Sequence, residues 1–329
     1  MNNRRKLIIA LGMGALTAPL GSFAQQKGKV WRIGILLAGV REDNYKSSVF
    51  PFISGLAELG YVEGRNLIID TRYAEGRLER LPTLAAEILS AKPDLIFAPP
   101  APATAAVKAL TTTIPIVFCF VNEPVALGFA QSLARPGGNL TGMSNFSVEI
   151  AGKRIELLKE LTPKLGRLCA WYNPDAMNDA IELREVEHAA AGYGMQFLAI
   201  RARNPAEYDE AAVATRKWRA DAIYINSNPV ASANRKQIIS LVSALKKPAV
   251  YFIATFVEDG GLIAYAVSFP ELARRSAIYA DKILRGAKPG DLPIEQPTKI
   301  NLSINMKTAK ALGLKIPNSI LVRADRVIE

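Results

Sequence analysis

The chain has 329 residues, half of them apolar, and a net charge of +11 from 41 Lys+Arg against 30 Asp+Glu. That length exceeds what one hydrophobic core organises, so two domains or lobes are expected. The basic residues are scattered, and the densest clusters, Arg216-Lys217-Trp218-Arg219 and Lys246-Lys247, are too short to track phosphates, which argues against nucleic-acid binding. A single histidine and two cysteines give no support to zinc sites or histidine-based triads.

Residues 1–24 carry Arg4, Arg5 and Lys6, then an apolar run to Leu20, then Ser22-Phe23-Ala24. This is the layout of a secretory signal cleaved near Ala24. The run is shorter than the roughly 20 residues a membrane-spanning helix needs. Arg4-Arg5 fits the twin-arginine route, while Lys6 and the residues before the pair also fit the general route. Removing the signal takes away three basic residues and leaves a mature charge of +8. No cysteine follows the apolar run, so a mature protein free in the periplasm, without a lipid anchor, is expected.

From there, apolar runs alternate with helix-period segments. Strands are expected at 30–37, 67–73, 94–98, 116–120 and 139–142, and helices at 47–59, 78–90, 102–110 and 127–133. The pattern restarts with helix 151–161, strand 168–172, helix 179–191, strand 196–200, helix 205–218 and strand 222–225. It continues with helix 231–245, strands 249–252 and 262–265, helix 270–285, strand 299–305 and helix 306–312. Repeated strand–helix alternation demands right-handed crossovers and a mainly parallel sheet covered by helices on both faces. Two copies of it, joined near 142–152, imply two similar α/β lobes. Cys119 and Cys169 lie in strand-like apolar runs and read as buried free thiols, although the compartment permits a disulfide. His188 falls in a charge-rich helix and reads as a surface residue.

In doubly wound sheets, ligands bind outside the carboxyl ends of the strands. Those ends here are Ala38-Gly39, Pro99-Pro100-Ala101-Pro102-Ala103-Thr104, Asn122-Glu123-Pro124 and Ser144-Asn145 in the first half. The second half offers Asn173-Pro174, Asn226-Ser227-Asn228-Pro229 and Ala254-Thr255-Phe256. Each alone also reads as ordinary turn chemistry; together they offer short, directional hydrogen-bonding groups held by proline. No G-x-G-x-x-G, G-x-x-x-x-G-K-[ST], G-x-S-x-G or S-x-x-K occurs, so nucleotide-phosphate loops and the common serine hydrolases lack support. No positioned acid, base or nucleophile set emerges, and neither an enzymatic activity nor a cofactor is expected.

Several longer stretches carry a family likeness. They include Gly60-Tyr61-Val62-Glu63-Gly64-Arg65-Asn66, Tyr73-Ala74-Glu75-Gly76-Arg77, Thr113-Ile114-Pro115-Ile116-Val117-Phe118, Ser132-Leu133-Ala134-Arg135-Pro136-Gly137-Gly138-Asn139-Leu140-Thr141-Gly142, Gln296-Pro297-Thr298-Lys299 and Asn305-Met306-Lys307-Thr308-Ala309-Lys310-Ala311-Leu312-Gly313-Leu314. Across essentially the whole mature chain, the sequence resembles ABC-transporter substrate-binding proteins of the tryptophan/tyrosine-binding type. The resemblance implies a type I periplasmic-binding-protein fold, two Rossmann-like lobes with parallel sheets joined by a three-stranded hinge. Its lobes would be residues 25–145, with helix 270–286 returning to them, and residues 146–265, with 298–329 packing on them. The hinge is expected near 142–147, 251–255 and the segment leading to Thr298.

The resemblance also implies a small-molecule ligand, an amino acid or related carboxylate, an inner-membrane ABC permease as partner, and a monomer. A periplasmic ligand sensor serving a membrane receptor kinase is the alternative. Family members carry Asp before the Pro-Val after the fourth strand; here it is Glu123, expected to meet an ammonium or hydroxyl group. Ala103 and Thr104 are expected to take a carboxylate, and Asn173, Asn226 and Asn228 to add polar contacts from the second lobe. Ala38, Asn122 and Ser144 complete the strand-end set, with Tyr45, Phe256 and Tyr265 as an aromatic wall.

Overall fold

The computed structural model describes residues 29–177 and 179–329, so the expected signal at 1–24 lies outside the described residues. Five strands form the first sheet: β1 (Trp31–Leu37), β2 (Leu67–Tyr73), β3 (Leu95–Phe97), β4 (Ile116–Val121) and β5 (Leu140–Ser144). They run parallel in the order β2-β1-β3-β4-β5. The second sheet holds β6 (Arg167–Tyr172), β7 (Gln196–Arg201), β8 (Ala222–Ile225), β9 (Ala249–Tyr251), β10 (Ile263–Val267), β11 (Ile300–Asn305) and β12 (Arg326–Ile328). Its order is β12-β11-β10-β9-β8-β6-β7, parallel except between β10 and β11. Read from β7 to β10, it repeats the order of the first sheet.

Helices fill the connections. In the first lobe they are α1 (Arg41–Asn44), continued through a π turn at Tyr45–Val49 into α2 (Phe50–Glu58), then α3 (Leu81–Ser90) and α4 (Ala101–Lys108). The second lobe has α5 (Ala151–Leu161), α6 (Asp179–Gly192), α7 (Pro205–Trp218), α8 (Pro229–Ala233), α9 (Arg235–Leu245) and α10 (Ala254–Glu258). There follow α11 (Phe269–Leu284), α12 (Met306–Ala311) and α13 (Asn318–Arg323). Parallel strands covered on both faces are apolar throughout rather than alternating. Thus Ile33, Ile35 and Leu37 of β1 pack in one core with Phe52, Phe97 and Ala277, while Leu36 enters the other with Ile88, Ile96 and Phe118. In the second lobe, Leu168 and Tyr224 face one core, and Cys169, Trp171 and Ile225 the other.

Helix α11 follows β10 of the second sheet but packs on α2 and β4 of the first. The approach is close: a Cβ on Gly55 would lie 2.6 Å from the Arg274 carbonyl oxygen and 2.8 Å from the Ala277 methyl. Phe120 of β4 stacks on Phe269 with ring centroids 4.2 Å apart, and the Tyr61 hydroxyl donates to Asp281 at 2.9 Å. The chain therefore passes between the sheets three times: at 145–150, at Ser268, and at 292–299. The first and third passages lie side by side, with Ser144 N–H donating to the Glu295 carbonyl at 2.9 Å and Glu295 N–H to the Gly142 carbonyl at 3.1 Å.

Several expectations change. Residues 127–133 form turns rather than a helix: Gly128 sits at φ +68 and the N–H groups of Leu127, Gly128 and Phe129 close only local loops onto Glu123, Val125 and Pro124. Helix 231–245 is broken at Asn234, whose amide turns back to the Val230 carbonyl at 2.9 Å. Residues 251–255, expected at the hinge, instead end β9 and begin α10 inside the second lobe; the passage is at Ser268.

Candidate functional site

Strand order fixes where a site can form. With the order β2-β1-β3 in one sheet and β7-β6-β8 in the other, connections from neighbouring strands leave in opposite directions at β1/β3 and at β6/β8. A crevice opens at each such point, at the carboxyl ends of the strands. The loops there are 38–40 and 98–100 in the first lobe, and 173–177 and 226–228 in the second.

In the first lobe, a bulge between Phe118 and Val121 is followed by Glu123 at φ +49, which turns the chain out of β4. Glu123 is half-buried. Burial, together with the charge of Glu123, raises the carboxyl pKa of Glu149, so two acidic groups share this edge. Asn122 Oδ1 accepts from Ser147 N–H at 3.2 Å and ties the edge to the first passage.

The second lobe holds a buried polar network. Asp179, the first residue of α6, is fully buried and accepts from Asn173 N–H at 2.7 Å and Asn228 Nδ2 at 2.9 Å. One turn on, Glu182 is also fully buried. It accepts from Arg154 Nη1 at 2.9 Å, the Tyr224 hydroxyl at 2.7 Å and Ser227 N–H at 3.0 Å. Arg154 also donates to Ser147 Oγ at 3.0 Å and to the Tyr265 carbonyl at 2.9 Å. Two carboxylates and one arginine thus hold the loops after β6 and β8, the first passage and the middle of β10 as one body. Burial pushes the Glu182 carboxyl up despite the pull of Arg154. Burial and then the charge of Glu182 push Asp179 well up.

That shift has a measurable sign. A carboxyl whose folded pKa lies above its unfolded value, near 3.9, binds extra protons in the native state. Its contribution is complete below about pH 4 and is lost as pH rises through the folded value. Asp179→Asn is therefore expected to gain stability over the unsubstituted protein progressively as pH rises from about 4 toward 8, in urea unfolding followed across that range. Parallel profiles for the two proteins would refute it.

Some expected site residues do other work. The Thr104 hydroxyl donates to the Ala98 carbonyl at 2.6 Å, and the N–H groups of Ala103 and Thr104 both donate to the Pro100 carbonyl. The donors foreseen for a carboxylate are used inside the turn, because Pro100 and Pro102 offer no N–H of their own. Phe256 is a core residue, fully buried and stacked on Tyr251 at 4.7 Å. Tyr45 is 48% exposed, tilted against Phe50. The half-buried Tyr265 packs on the second lobe's core. Ala38 is buried at the end of β1, its carbonyl accepting from Gly76 N–H. His188 is exposed. Sequence reading missed Asp179, Glu182 and Arg154 because their neighbours in the chain look like any polar helix face; Asp179 and Glu182, one helical turn apart behind the Asn173-Pro174 turn, were the available signal.

Buried polar atoms nearly always find a partner. Three near the strand ends have none: Ser144 Oγ in the first lobe, Asp179 Oδ1 and Asn226 Oδ1 in the second. All three can accept a hydrogen bond. Among the described residues, no group of three or more His, Cys, Asp or Glu is placed to hold a metal ion, and no helix is long and apolar enough to cross a membrane. A cavity of about 170 Å³ between α9 and α12 includes Lys246 and Lys247, just before β9, and so lies toward the opposite edge of the second sheet.

Known proteins share this architecture. The chain is 27% identical over 265 residues to a tyrosine-binding protein of Clostridioides difficile (strain R20291), covering 80% of this chain and 76% of that one. The crystal structure of an ABC domain in complex with L-Trp from Streptococcus pneumonia matches 91% of this chain and 99% of its own, at 27% identity and a TM-score of 0.84. The ligand-free, open structure of a substrate-binding protein with adhesive properties from Clostridium difficile covers 91% and 99% at 25% identity, with a TM-score of 0.67. The two lobes with parallel sheets are those of the type I periplasmic-binding fold. Residues 33–328 match the family profile described as ABC transporter substrate binding protein, and the chain belongs to that family.

Proposed function

We propose that this chain is the exported, soluble binding component of an ABC importer, taking an amino acid or related small carboxylate between its lobes and delivering it to an inner-membrane permease. The carrying observation is the set of unpartnered acceptors, Ser144 Oγ, Asp179 Oδ1 and Asn226 Oδ1, near strand ends of both lobes. A guest with several N–H donors satisfies such a set, and a protonated amine is the compact choice. Relatives support the class of guest: one is named for tyrosine and another is complexed with L-Trp. Glu123 and Ser144 contribute from the first lobe, with Asn122 and Ala38 shaping the edge. Asn173, Asn226 and Asn228 contribute from the second, and the rings of Tyr45 and Tyr265 flank the apolar part. Ligand affinity for the closed form shifts the lobes from open to closed, and the guest leaves chemically unchanged.

Native mass spectrometry of the purified protein, with identification of whatever co-purifies, tests the reading first. Calorimetric titration with L-tyrosine and with 3-(4-hydroxyphenyl)propionate, which lacks the amine, tests the role of Glu123. Glu123→Gln is expected to weaken L-tyrosine roughly 10- to 100-fold, the range of one hydrogen bond to a charged group, and to leave the amine-free analogue unchanged. Equal losses for both ligands remove Glu123 from the amine, and a co-purified guest of unrelated chemistry removes the amino acid.

A further inference from the structure

The two lobes are joined by an ion pair in which no strand-end acceptor takes part. Arg235 opens α9 in the second lobe. Its Nε donates to Asp259, just after α10 of the same lobe, at 2.6 Å, and its Nη1 donates to Asp43 of α1 in the first lobe. Among the described residues, this is the ion pair that joins the two lobes. Nearby, a Cβ on Gly76, in the loop after β2, would lie 3.2 Å from the methyl of Ala233, two residues before Arg235. These two contacts join the connections after β1 and β2 to the junction of α8 and α9.

The chemistry suits a reversible closure. The Arg235 side chain is only 13% exposed, against 32% for Asp43 and 33% for Asp259, so the pair is partly shielded from water and salt. Asp259 engages one side of the guanidinium within its own lobe. That pre-orients the remaining donors and reduces the side-chain freedom lost when Asp43 arrives. In an opened form Asp43 returns to water, where a lone surface carboxylate costs little. The contact thus favours the closed form without making the open one prohibitive.

We propose that Arg235 and Asp43 form a latch, Arg235 being a positioning residue that sets how long a guest stays without contacting it. This rests on the clamshell reading above. Differences confined to the closed state appear mainly in the dissociation rate. Stopped-flow measurements with L-tyrosine are expected to give a roughly 10-fold faster koff for both Asp43→Asn and Arg235→Gln, with kon changed less than about 2-fold. The double variant should be no worse than either single one, and Arg235→Lys should recover part of the loss. Raising ionic strength should speed release from the unsubstituted protein and affect Asp43→Asn less.

A second readout needs no guest. Spin labels on Lys108→Cys in the first lobe and Lys217→Cys in the second, both exposed, report the distance between lobes, since Cys119 and Cys169 are buried. Asp43→Asn is expected to move this distribution toward longer distances. Unchanged koff together with unchanged distances overturns the latch. L-tyrosine failing to bind while the distances still shift supports the latch and overturns only the ligand reading.

Discussion

Arg154→Met is expected to destabilise the protein by about 3–5 kcal/mol, the usual cost of removing one partner of a buried ion pair. Arg154 is 1% exposed and Glu182 fully buried, so neither can recover water when the other is lost. The substitution leaves Glu182 facing Asp179, itself a buried carboxyl, and it frees the Ser147 hydroxyl and the Tyr265 carbonyl from their donor. Removing both charges in Arg154→Met/Glu182→Leu should cost less than the sum of the two single changes, because no lone charge remains. Urea unfolding at neutral pH measures each value. A loss under 1 kcal/mol for Arg154→Met would show that water reaches the network and that its members are not confined as described.

Gly142→Ala is expected to cost about 4 kcal/mol, from the combined penalties of a disfavoured backbone conformation and of overpacking. Gly142 lies in β5 at φ +152, and a Cβ there would sit 2.0 Å from the Phe118 carbonyl oxygen, with the Phe118 backbone nitrogen and carbonyl carbon at 2.8 Å. Those are backbone atoms of the neighbouring strand, and no rotamer change relieves the clash. The contact coincides with the bulge that re-aims β4 after Phe118, so the same glycine positions Asn122 and Glu123 at the edge of the sheet. Thermal unfolding of Gly142→Ala beside Gly128→Ala, at φ +68 and with nothing within 4 Å of the added Cβ, compares clash and strain together with a left-handed backbone alone. Equal effects at the two positions would refute the clash.

Most strands were legible because a strand buried on both faces is a run of apolar residues bounded by turn residues, and such runs stand out at 116–120 and 168–172. The repeat was legible for the same reason. The edge strand β12 and helix α13 were not, since their residues are largely exposed and carry no periodicity. The turns at 127–133 imitate a helix because Leu127, Phe129, Ala130 and Leu133 have helical spacing, while Gly128 and the Pro136-Gly137 turn decide the backbone. At the site, the asparagines were readable as strand-end residues. That Thr104 bonds back to its own turn, or that Arg154 reaches the middle of β10 across 111 residues, depends on tertiary geometry that no local pattern encodes.

Cys119 sits in the middle of β4 and Cys169 in the middle of β6, one thiol per sheet, both free and buried. Burial pushes Cys169 up to about 12 and Cys119 higher still, which leaves almost no reactive thiolate near neutral pH. Each half of the molecule therefore carries its own internal clock. The pace at which an alkylating reagent captures one sulfur or the other reports the opening of that half alone, and peptide mapping of the modified chain would tell whether the twin cores breathe together or apart.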